Sequence, residues 1–253
     1  MFRKCFYLLI MTLFGTWLSF SNVWGFTVGI DGSLDDWGVI PGTDWIPKAG
    51  ASYSLEDNAP NSSGYVGPGY GNQEYDVEAL YVTWDSANLY VAIVTGFPQT
   101  GRDYNSIHFD AGDIAIDVGL DGNYDYALRV AGSEVGSFYQ VSSWEDVYYS
   151  SYVESNPFRA ATGSLLGSGT LSYLPWSGWD DNDLASQRYI IEASIPLALF
   201  NGPLGSFGVH WTIECGNDYL NVEAIHTPEP ATLILIGSGL LGMGALRGRR
   251  KNS

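Results

Sequence analysis

Three aspartates at a regular spacing could coordinate a calcium ion. Asp117, Asp121 and Asp125 are four residues apart, with a glycine directly after the second of them. Carboxylates at positions 1, 5 and 9 with glycine at position 6 are typical of calcium-binding loops. The oxygen ligand at position 3 and the glutamate at position 12 are absent, since Gly119 and Leu128 stand there. The sequence therefore makes Ca²⁺ the one candidate cofactor. The alternative is an Asp-Gly hairpin turn with solvated carboxylates.

Two tryptophans in a polar segment could bind a carbohydrate. Trp176 and Trp179 flank Ser-Gly, and an acidic pair beginning with Asp180 follows. Aromatic rings offer flat apolar faces to sugar rings, and carboxylates accept hydrogen bonds from hydroxyl groups. We therefore predict Trp176, Trp179 and Asp180 as carbohydrate-binding residues. The alternative is that both rings cover the core of the domain.

No group of residues in the sequence has a recognisable catalytic pattern. Asp113 and Asp117 lie four residues apart on a predicted strand, which separates their Cα atoms by about 13 Å. That distance exceeds the usual separation of paired catalytic carboxylates. His108, His210 and His226 lack a metal-ligand spacing, and the nucleophile motif Gly-x-Ser-x-Gly does not occur. We therefore expect a protein that is not an enzyme.

Charge is distributed very unevenly along the chain. All 28 acidic residues lie between Asp31 and Glu229, where only five basic residues accompany them. The other six of the 11 basic residues lie at the two ends. Nucleic-acid binding needs clustered Lys and Arg, so this composition argues against a nucleic-acid partner. Divalent cations and neutral polymers fit an acidic domain better.

The first 25 residues have the three-part layout of a secretory signal peptide. Residues 1–4 contain Arg3 and Lys4, residues 5–20 are apolar, and Val23 and Gly25 stand at positions −3 and −1 of a cut after Gly25. Removal of this segment leaves Cys215 as the only cysteine, so no internal disulfide can form. The alternative is an uncleaved N-terminal anchor.

The chain ends in a short apolar segment followed by a basic cluster. Pro228, Glu229 and Pro230 precede residues 231–246, which are apolar or small, and an Arg-rich stretch follows. A helix of this length would span about 24 Å, against about 30 Å for a bilayer core. The basic cluster predicts a cytoplasmic C-terminus. We expect a single transmembrane helix that serves as a temporary membrane attachment, and the alternative is a permanent anchor.

Residues 228–253 resemble the PEP-CTERM sorting signal of Gram-negative bacteria. The resemblance rests on Pro-Glu-Pro-Ala-Thr, the Gly-Ser-Gly-Leu-Leu-Gly within the apolar segment, and the Arg-rich end. It implies processing near residues 228–230 by an exosortase, a membrane transpeptidase. It also implies a route through the inner membrane to the outer cell surface or the extracellular matrix.

Short alternating strands separated by turn residues run through residues 26–227. The predicted strands are residues 80–84, 89–95, 113–118, 124–130, 189–195, 207–215 and 219–225, with a broken pair at 138–153. Gly-, Ser- and Asn-rich residues 53–73 and 163–183 predict two long loops. Without a long amphipathic helix, this pattern predicts an all-β domain, an antiparallel β-sandwich of the jelly-roll or immunoglobulin-like kind.

Five segments of the domain, in order, resemble family 9 carbohydrate-binding modules and their DOMON-like relatives. They are Ile-Asp-Gly-x-x-Asp-x-Trp at residues 30–37, the hairpin at 82–92, the Asp-rich strand at 112–117, Tyr-x-x-Glu-x-x-Ile-Pro at 189–196 and the closing residues 210–218. The resemblance implies a sandwich that binds sugars without catalysis. A DOMON-type haem carrier is disfavoured because the domain contains no methionine.

Together these features predict an exported, non-catalytic surface or matrix protein. The resemblance implies that its sandwich binds a glycan or exopolysaccharide. The alternative is a structural matrix protein, or a Ca²⁺-dependent adhesin, without a sugar site.

Overall fold

A computed structural model describes residues 25–40, 44–56, 66, 70–176 and 187–226. Their fold is all-β, with every strand pair antiparallel, and it confirms the predicted sandwich. The predicted signal peptide, the Pro-Glu-Pro motif and the apolar helix at 231–246 lie outside the described residues, except for Gly25. Within the described part of the chain, no helix is long and apolar enough to span a membrane.

Thirteen strands in the described residues form two main sheets and a small ribbon. They are β1 (Ser52–Leu55), β2 (Val77–Trp84), β3 (Asn88–Thr95), β4 (Arg102–Tyr104), β5 (Ile107–Phe109), β6 (Ile114–Val118), β7 (Tyr126–Leu128), β8 (Ser137–Glu145), β9 (Arg159–Ser168), β10 (Thr170–Trp176), β11 (Arg188–Pro196), β12 (Ser206–Thr212) and β13 (Tyr219–Ile225). One sheet has the order β1-β2-β3-β11-β10, and the other has the order β13-β12-β6-β7-β8-β9. Strands β4 and β5 form the separate ribbon.

The described residues also contain four short 3-10 turns, one before β1 and three between strands. They are Asp35–Trp37, Gln73–Tyr75, Val153–Ser155 and Leu197–Leu199.

The β2–β3 hairpin follows the prediction closely because its turn is closed by a side chain. The Asp85 carboxylate accepts hydrogen bonds of 2.8 Å from the backbone N–H groups of both Ala87 and Asn88.

The hydrophobic core lies between the two main sheets. Inward-facing residues of β2, β3 and β11 pack against those of β6, β12 and β13, with Phe138 of β8 and Trp211 of β12 among the largest buried side chains. Cys215 also lies in this core and is 2 % exposed, as a small apolar residue would be. Burial of apolar side chains between the sheets is the main stabilising contribution to a sandwich fold.

The N-terminal segment, residues 25–40, covers the opposite face of the five-stranded sheet. Val28, Leu34 and Trp37 form a second cluster with the outer residues of β2, β3 and β11. Strands β2 and β3 are consequently buried on both faces, except at the turn between them. Trp37 is fully buried and Trp84 is half-buried, which agrees with a packing role for both rings.

One buried carboxylate joins the N-terminal segment to the sheet. Glu192 on β11 accepts hydrogen bonds from the backbone N–H groups of Asp31 (3.0 Å) and Gly32 (2.7 Å), and from the Trp37 indole N–H (2.9 Å). Gly32 has a φ of 81°, a conformation that favours glycine. The Asp-Gly and Trp of residues 30–37 and the Glu of residues 189–196 therefore act together in fixing this segment.

Three predictions of local structure are wrong, at least in part. Residues 163–183 do not form a loop throughout, because strands β9 and β10 occupy residues up to 176. Residues 138–153 do not form two strands, because β8 ends at Glu145 and a loop with a 3-10 turn follows. Part of the predicted loop 53–73 also belongs to a strand, since β1 spans Ser52–Leu55 and pairs with β2.

The two ends of the described domain lie side by side. The Phe26 N–H donates to the Thr83 hydroxyl at 3.3 Å, next to Trp84 at the end of β2. The Trp84 ring lies 5.6 Å from the His226 ring, and His226 directly follows β13. The chain thus enters and leaves the sandwich at the same end.

Candidate functional site

The three aspartates of the predicted calcium loop form a hairpin turn. Asp117 accepts hydrogen bonds from the backbone N–H groups of Asp121 (3.3 Å) and Gly122 (2.8 Å), and Asp125 accepts one from Val118 (2.8 Å). The Asp121 side chain accepts a 2.9 Å hydrogen bond from the backbone N–H of Asn123. Among the described residues, no group of three or more His, Cys, Asp or Glu side chains is arranged to hold a metal ion. Calcium binding here stays a prediction.

The predicted sugar residues are only partly described. Trp176 is the last residue of β10, where it is half-buried against the cluster formed with the N-terminal segment. Its carbonyl oxygen accepts a hydrogen bond of 2.8 Å from the Gln187 side chain. Trp179 and Asp180 lie outside the described residues. The sugar platform built on these three residues therefore also stays a prediction.

A cleft lined mainly by tyrosines lies elsewhere on the domain. This tyrosine cleft has a volume of about 540 Å³. It is lined by Tyr70, Gly71, Asn72, Tyr75, Tyr104, Asn105, Phe109, Tyr149, Tyr152, Cys215 and Asn217. Six of these residues are aromatic and three carry side-chain amides, while none of them is charged. Its size falls within the range of clefts that hold small ligands.

Four separate connections supply the walls of the tyrosine cleft. They are the segment around the 3-10 turn Gln73–Tyr75, the β4–β5 ribbon, the loop that follows β8, and the loop between β12 and β13. The ribbon turns at Asn105 and Ser106, which have φ values of 49° and 66° and so allow a two-residue hairpin. This turn places Tyr104 at the rim, where it is 55 % exposed.

Polar contacts tie these connections to one another. Arg102 on the ribbon forms a 3.2 Å ion pair with Glu74 on the 3-10 turn. The Tyr148 N–H donates to the Glu214 carbonyl at 2.7 Å, which joins the loop after β8 to the β12–β13 loop. The Ser155 hydroxyl donates to the Gly216 carbonyl at 2.8 Å and joins the same two loops again. The walls of the tyrosine cleft are therefore fixed in advance of any ligand.

The aromatic rings of the tyrosine cleft pack against each other. Tyr149 lies at the centre, with ring centroids 6.1 Å from Phe109 and 5.3 Å from Tyr152. Tyr152 in turn makes an edge contact with Tyr70 at 6.3 Å. Tyr148 extends the row beyond the cleft, and its ring is 52 % exposed. A row of packed rings with an exposed rim offers stacking faces without a large entropic cost for ordering them.

Burial keeps two groups of the tyrosine cleft, Cys215 and Tyr152, uncharged at neutral pH. Burial raises the pKa of the Cys215 thiol to about 12. Burial and a hydrogen bond with Tyr70 raise the pKa of Tyr152 to about 12. A thiol this far from ionisation is a poor nucleophile. The cleft therefore presents aromatic faces, hydroxyl groups and amides, which suit a neutral polar ligand.

Buried carboxyl groups adjoin the tyrosine cleft in the chain. Asp76 follows Tyr75 and Asp218 follows Asn217, and both aspartates are fully buried. Burial and the negative charge of Asp76 raise the pKa of Asp218 well above its ordinary value. Burial, and then Asp76, raise the pKa of Glu56 to about 7. These acids are neighbours of cleft residues in the chain but do not line the cleft themselves.

The remaining titratable residues singled out in the sequence have structural contacts. Asp113 is fully buried, forms a 3.1 Å ion pair with Arg129, and accepts a hydrogen bond from the Ala160 N–H. Burial raises its pKa to about 6. His210 is fully buried within hydrogen-bond distance of the Asn221 side chain (2.7 Å), and burial lowers its pKa to about 4. His108 lies at the surface beside two aspartates.

Sequence reasoning missed the tyrosine cleft as a whole. Its residues are scattered between positions 70 and 217, so no local spacing marks them as one site. The density of tyrosines at positions 148–152 was the one available signal, and the loop after β8 indeed contributes two of the lining rings.

The comparisons with known proteins concern the C-terminal tail. None of the curated proteins matches this chain. The PEP-CTERM protein-sorting motif matches residues 226–251, which begin directly after β13. This match includes the Pro-Glu-Pro of residues 228–230 and the apolar segment that follows. The chain therefore ends in a PEP-CTERM sorting signal, the kind that exosortases process, and it is an exported protein that passes through the membrane.

Proposed function

We propose that the exported domain is a non-catalytic glycan-binding module and that the tyrosine cleft is its binding site. The observation that carries the proposal is the composition of the cleft, six aromatic rings with three amides and no charged lining residue. Aromatic faces take the apolar faces of sugar rings, and amides both donate to and accept from hydroxyl groups.

The surroundings of the cleft favour a neutral polysaccharide over an acidic one. The chain carries a formal net charge of −17 at pH 7, and this charge would repel a polyanion. Arg102, which lies on the same ribbon as Tyr104 of the cleft, is already paired with Glu74. An exopolysaccharide made of neutral sugars is the ligand class that fits these conditions.

The sorting signal supports a place of action outside the cell. We infer an intermediate held in the inner membrane, processing by an exosortase near residues 228–230, and final residence at the outer surface or in the extracellular matrix of a Gram-negative bacterium. Mass spectrometry of the mature C-terminus tests this route. A C-terminus that still ends at Ser253 on the cell surface would contradict it.

Affinity electrophoresis tests glycan binding. The full chain, purified in detergent, would migrate through gels that contain dextran, mannan or the acidic polymer alginate. We expect retardation by a neutral polymer and none by alginate. Tyr104→Ala removes an exposed ring from the rim of the cleft and should weaken binding about fivefold, the loss of about 1 kcal/mol of stacking.

Tyr53→Ala is the matched control for this experiment. Tyr53 is also exposed, but it lies on β1 and does not line the cleft. The proposal fails if no neutral polymer retards the protein, or if the two variants are retarded equally. In that case a structural matrix protein without a sugar site becomes the better explanation. No contact among the described residues favours a calcium-dependent adhesin.

A further inference from the structure

A second cleft lies beside the acidic hairpin turn. This Trp144 cleft has a volume of about 450 Å³ and shares no lining residue with the tyrosine cleft. It is lined by Gly122, Asn123, Tyr124, Asp125, Val141, Ser142, Trp144, Asn156 and Pro157. The hairpin between β6 and β7, strand β8, and the loop before β9 each supply one wall.

Two aromatic rings are held at fixed positions in this cleft. The Trp144 indole N–H donates to the Tyr124 carbonyl oxygen at 2.9 Å. The two rings meet edge to face, with centroids 6.2 Å apart and an angle of 73° between them. Both rings are half-buried, so each is supported from one side by the domain and also borders the cleft.

The electrostatic environment of the Trp144 cleft is negative. Asp125 lines it directly, and Asp117 and Asp121 lie in the same hairpin. Burial, and then the charge of Asp117, raise the pKa of Tyr124 to about 12. No Lys or Arg is among the lining residues in the described part of the chain. A cation in this cleft would therefore meet no positive charge on its walls.

We propose that the Trp144 cleft binds a protonated amino sugar. An ammonium group is attracted both to aromatic faces and to a carboxylate, here those of Trp144, Tyr124 and Asp125. The amides of Asn123 and Asn156 and the Ser142 hydroxyl add donors and acceptors for sugar hydroxyl groups. This site is independent of the tyrosine cleft and differs from it in the charge of its ligand.

Isothermal titration calorimetry with three monosaccharide probes tests the proposal. Glucosamine, N-acetylglucosamine and glucose would be titrated at pH 6 into the full chain purified in detergent. Glucosamine alone carries a positive charge and should bind at least about tenfold more tightly than the other two, because a hydrogen bond to a charged group is worth about 1.5 kcal/mol or more. Raised salt should weaken the binding.

Two variants and two controls assign the binding to this cleft. Asp125→Asn keeps an oxygen that can accept from the Val118 N–H but removes the charge, and Trp144→Leu removes the ring. Each should weaken glucosamine binding about tenfold, while circular dichroism shows an unchanged fold. Glu134→Gln removes an exposed charge outside the cleft, and Tyr104→Ala alters only the tyrosine cleft, so both should bind like wild type.

The result that overturns the inference is equally specific. Equal affinity for the three probes, no measurable binding of glucosamine, or wild-type affinity in both Asp125→Asn and Trp144→Leu would each do so. Loss of glucosamine binding in Tyr104→Ala would place the amine in the tyrosine cleft and would also overturn it. Failure of glycan binding in the tyrosine cleft, in contrast, leaves this outcome unchanged.

Discussion

Removal of the Glu192 carboxylate tests whether the N-terminal segment is an integral part of the sandwich. Glu192→Ala would leave three donors without their partner, the backbone N–H groups of Asp31 and Gly32 and the indole N–H of Trp37. The indole bond is buried, whereas the two backbone bonds are only partly buried, so water can replace some of their loss.

The expected cost follows from these three bonds. A buried donor left without a partner costs about 1–3 kcal/mol, and the two backbone donors should fall at the low end of that range. Burial raises the pKa of Glu192, which means that placing its charge in the fold is itself unfavourable and offsets part of the loss. We expect Glu192→Ala to lower the free energy of unfolding by about 3 kcal/mol.

Glu192→Gln refines the same prediction. An amide provides one accepting oxygen and one NH₂ group, so either the indole donor or the two backbone donors face another donor. We expect a loss of about 1–2 kcal/mol, which lies between wild type and alanine. Glu223→Ala is the matched control, because Glu223 is an exposed glutamate on β13. Its effect should stay within about 0.5 kcal/mol.

Urea unfolding followed by tryptophan fluorescence measures these differences. Trp37 is fully buried beside Glu192, so release of the N-terminal segment should change its contribution to the total emission of the tryptophans. Equal unfolding free energies for Glu192→Ala and Glu223→Ala would refute the reasoning. An early transition in the alanine variant, before the main one, would show that the segment detaches separately, which also contradicts a single cooperative unit.

Three further predictions concern pH and calcium. The raised pKa of Glu56 means that stability from its protonated form is present at low pH and is lost as pH rises through about 7, and the raised pKa of Asp218 acts in the same direction. Asp76→Asn removes the charge that repels both groups, so thermal melts between pH 5 and 8 should show a smaller loss of stability than in wild type. The lowered pKa of His210 has the opposite effect, because the folded state loses stability as pH falls from about 6.5 to about 4, by up to about 3 kcal/mol. In His210→Gln, urea titrations should show a smaller decrease in the free energy of unfolding over this pH range. We expect EDTA and millimolar Ca²⁺ to leave the melting temperature unchanged, because the Asp117 carboxylate already accepts hydrogen bonds from two backbone N–H groups. A melting temperature that rises with Ca²⁺ would instead establish the calcium loop.

The strands that the sequence predicts best have one face in the core. Strands β3, β11 and β13 carry apolar residues in the positions that face the opposite sheet, and their predicted ranges agree with the structure within a few residues. The turn between β2 and β3 was also predictable, because Asp85 closes it with local hydrogen bonds that depend only on nearby residues.

The strands that the sequence misses lack this signal. Strand β9 is largely exposed and rich in Gly, Ser and Ala, so burial leaves no alternation in its sequence. Its position is set by pairing with β8, and the sequence alone gives no sign that these two segments pair. The same applies to β1, which is held by pairing with β2.

The candidate site is harder to predict than the fold for a related reason. Trp176 is conspicuous as a tryptophan in a polar segment, yet it is half-buried against the cluster that the N-terminal segment forms with the five-stranded sheet. The tyrosine cleft is built from four connections that are far apart in the sequence. Pairing of the strands within the sheets brings these connections together, so nearby residues in the sequence do not reveal the cleft. Tyr70 and Asn217, for example, are joined by a 3.5 Å hydrogen bond across 147 positions.

The direction of β13 places the tyrosine cleft and the start of the sorting signal at opposite ends of one strand. Asn217 of the tyrosine cleft lies just before β13, and the sorting motif starts at residue 226, just after it. Seven residues of strand separate the two, a distance of about 23 Å. Because Phe26 also lies beside the end of β2 next to His226, both termini share the end of the sandwich opposite the cleft.

The proposed binding site and the processing site are therefore separated by the length of the domain. From the end of β13 to Pro228 the chain has three residues, which span at most about 11 Å, so a membrane enzyme that cuts there works close to the folded domain. The tyrosine cleft lies a full strand length away from the residue at which the sorting motif begins. If the tyrosine cleft binds a polymer as proposed, the ligand would be held at the end of the domain away from the site of processing.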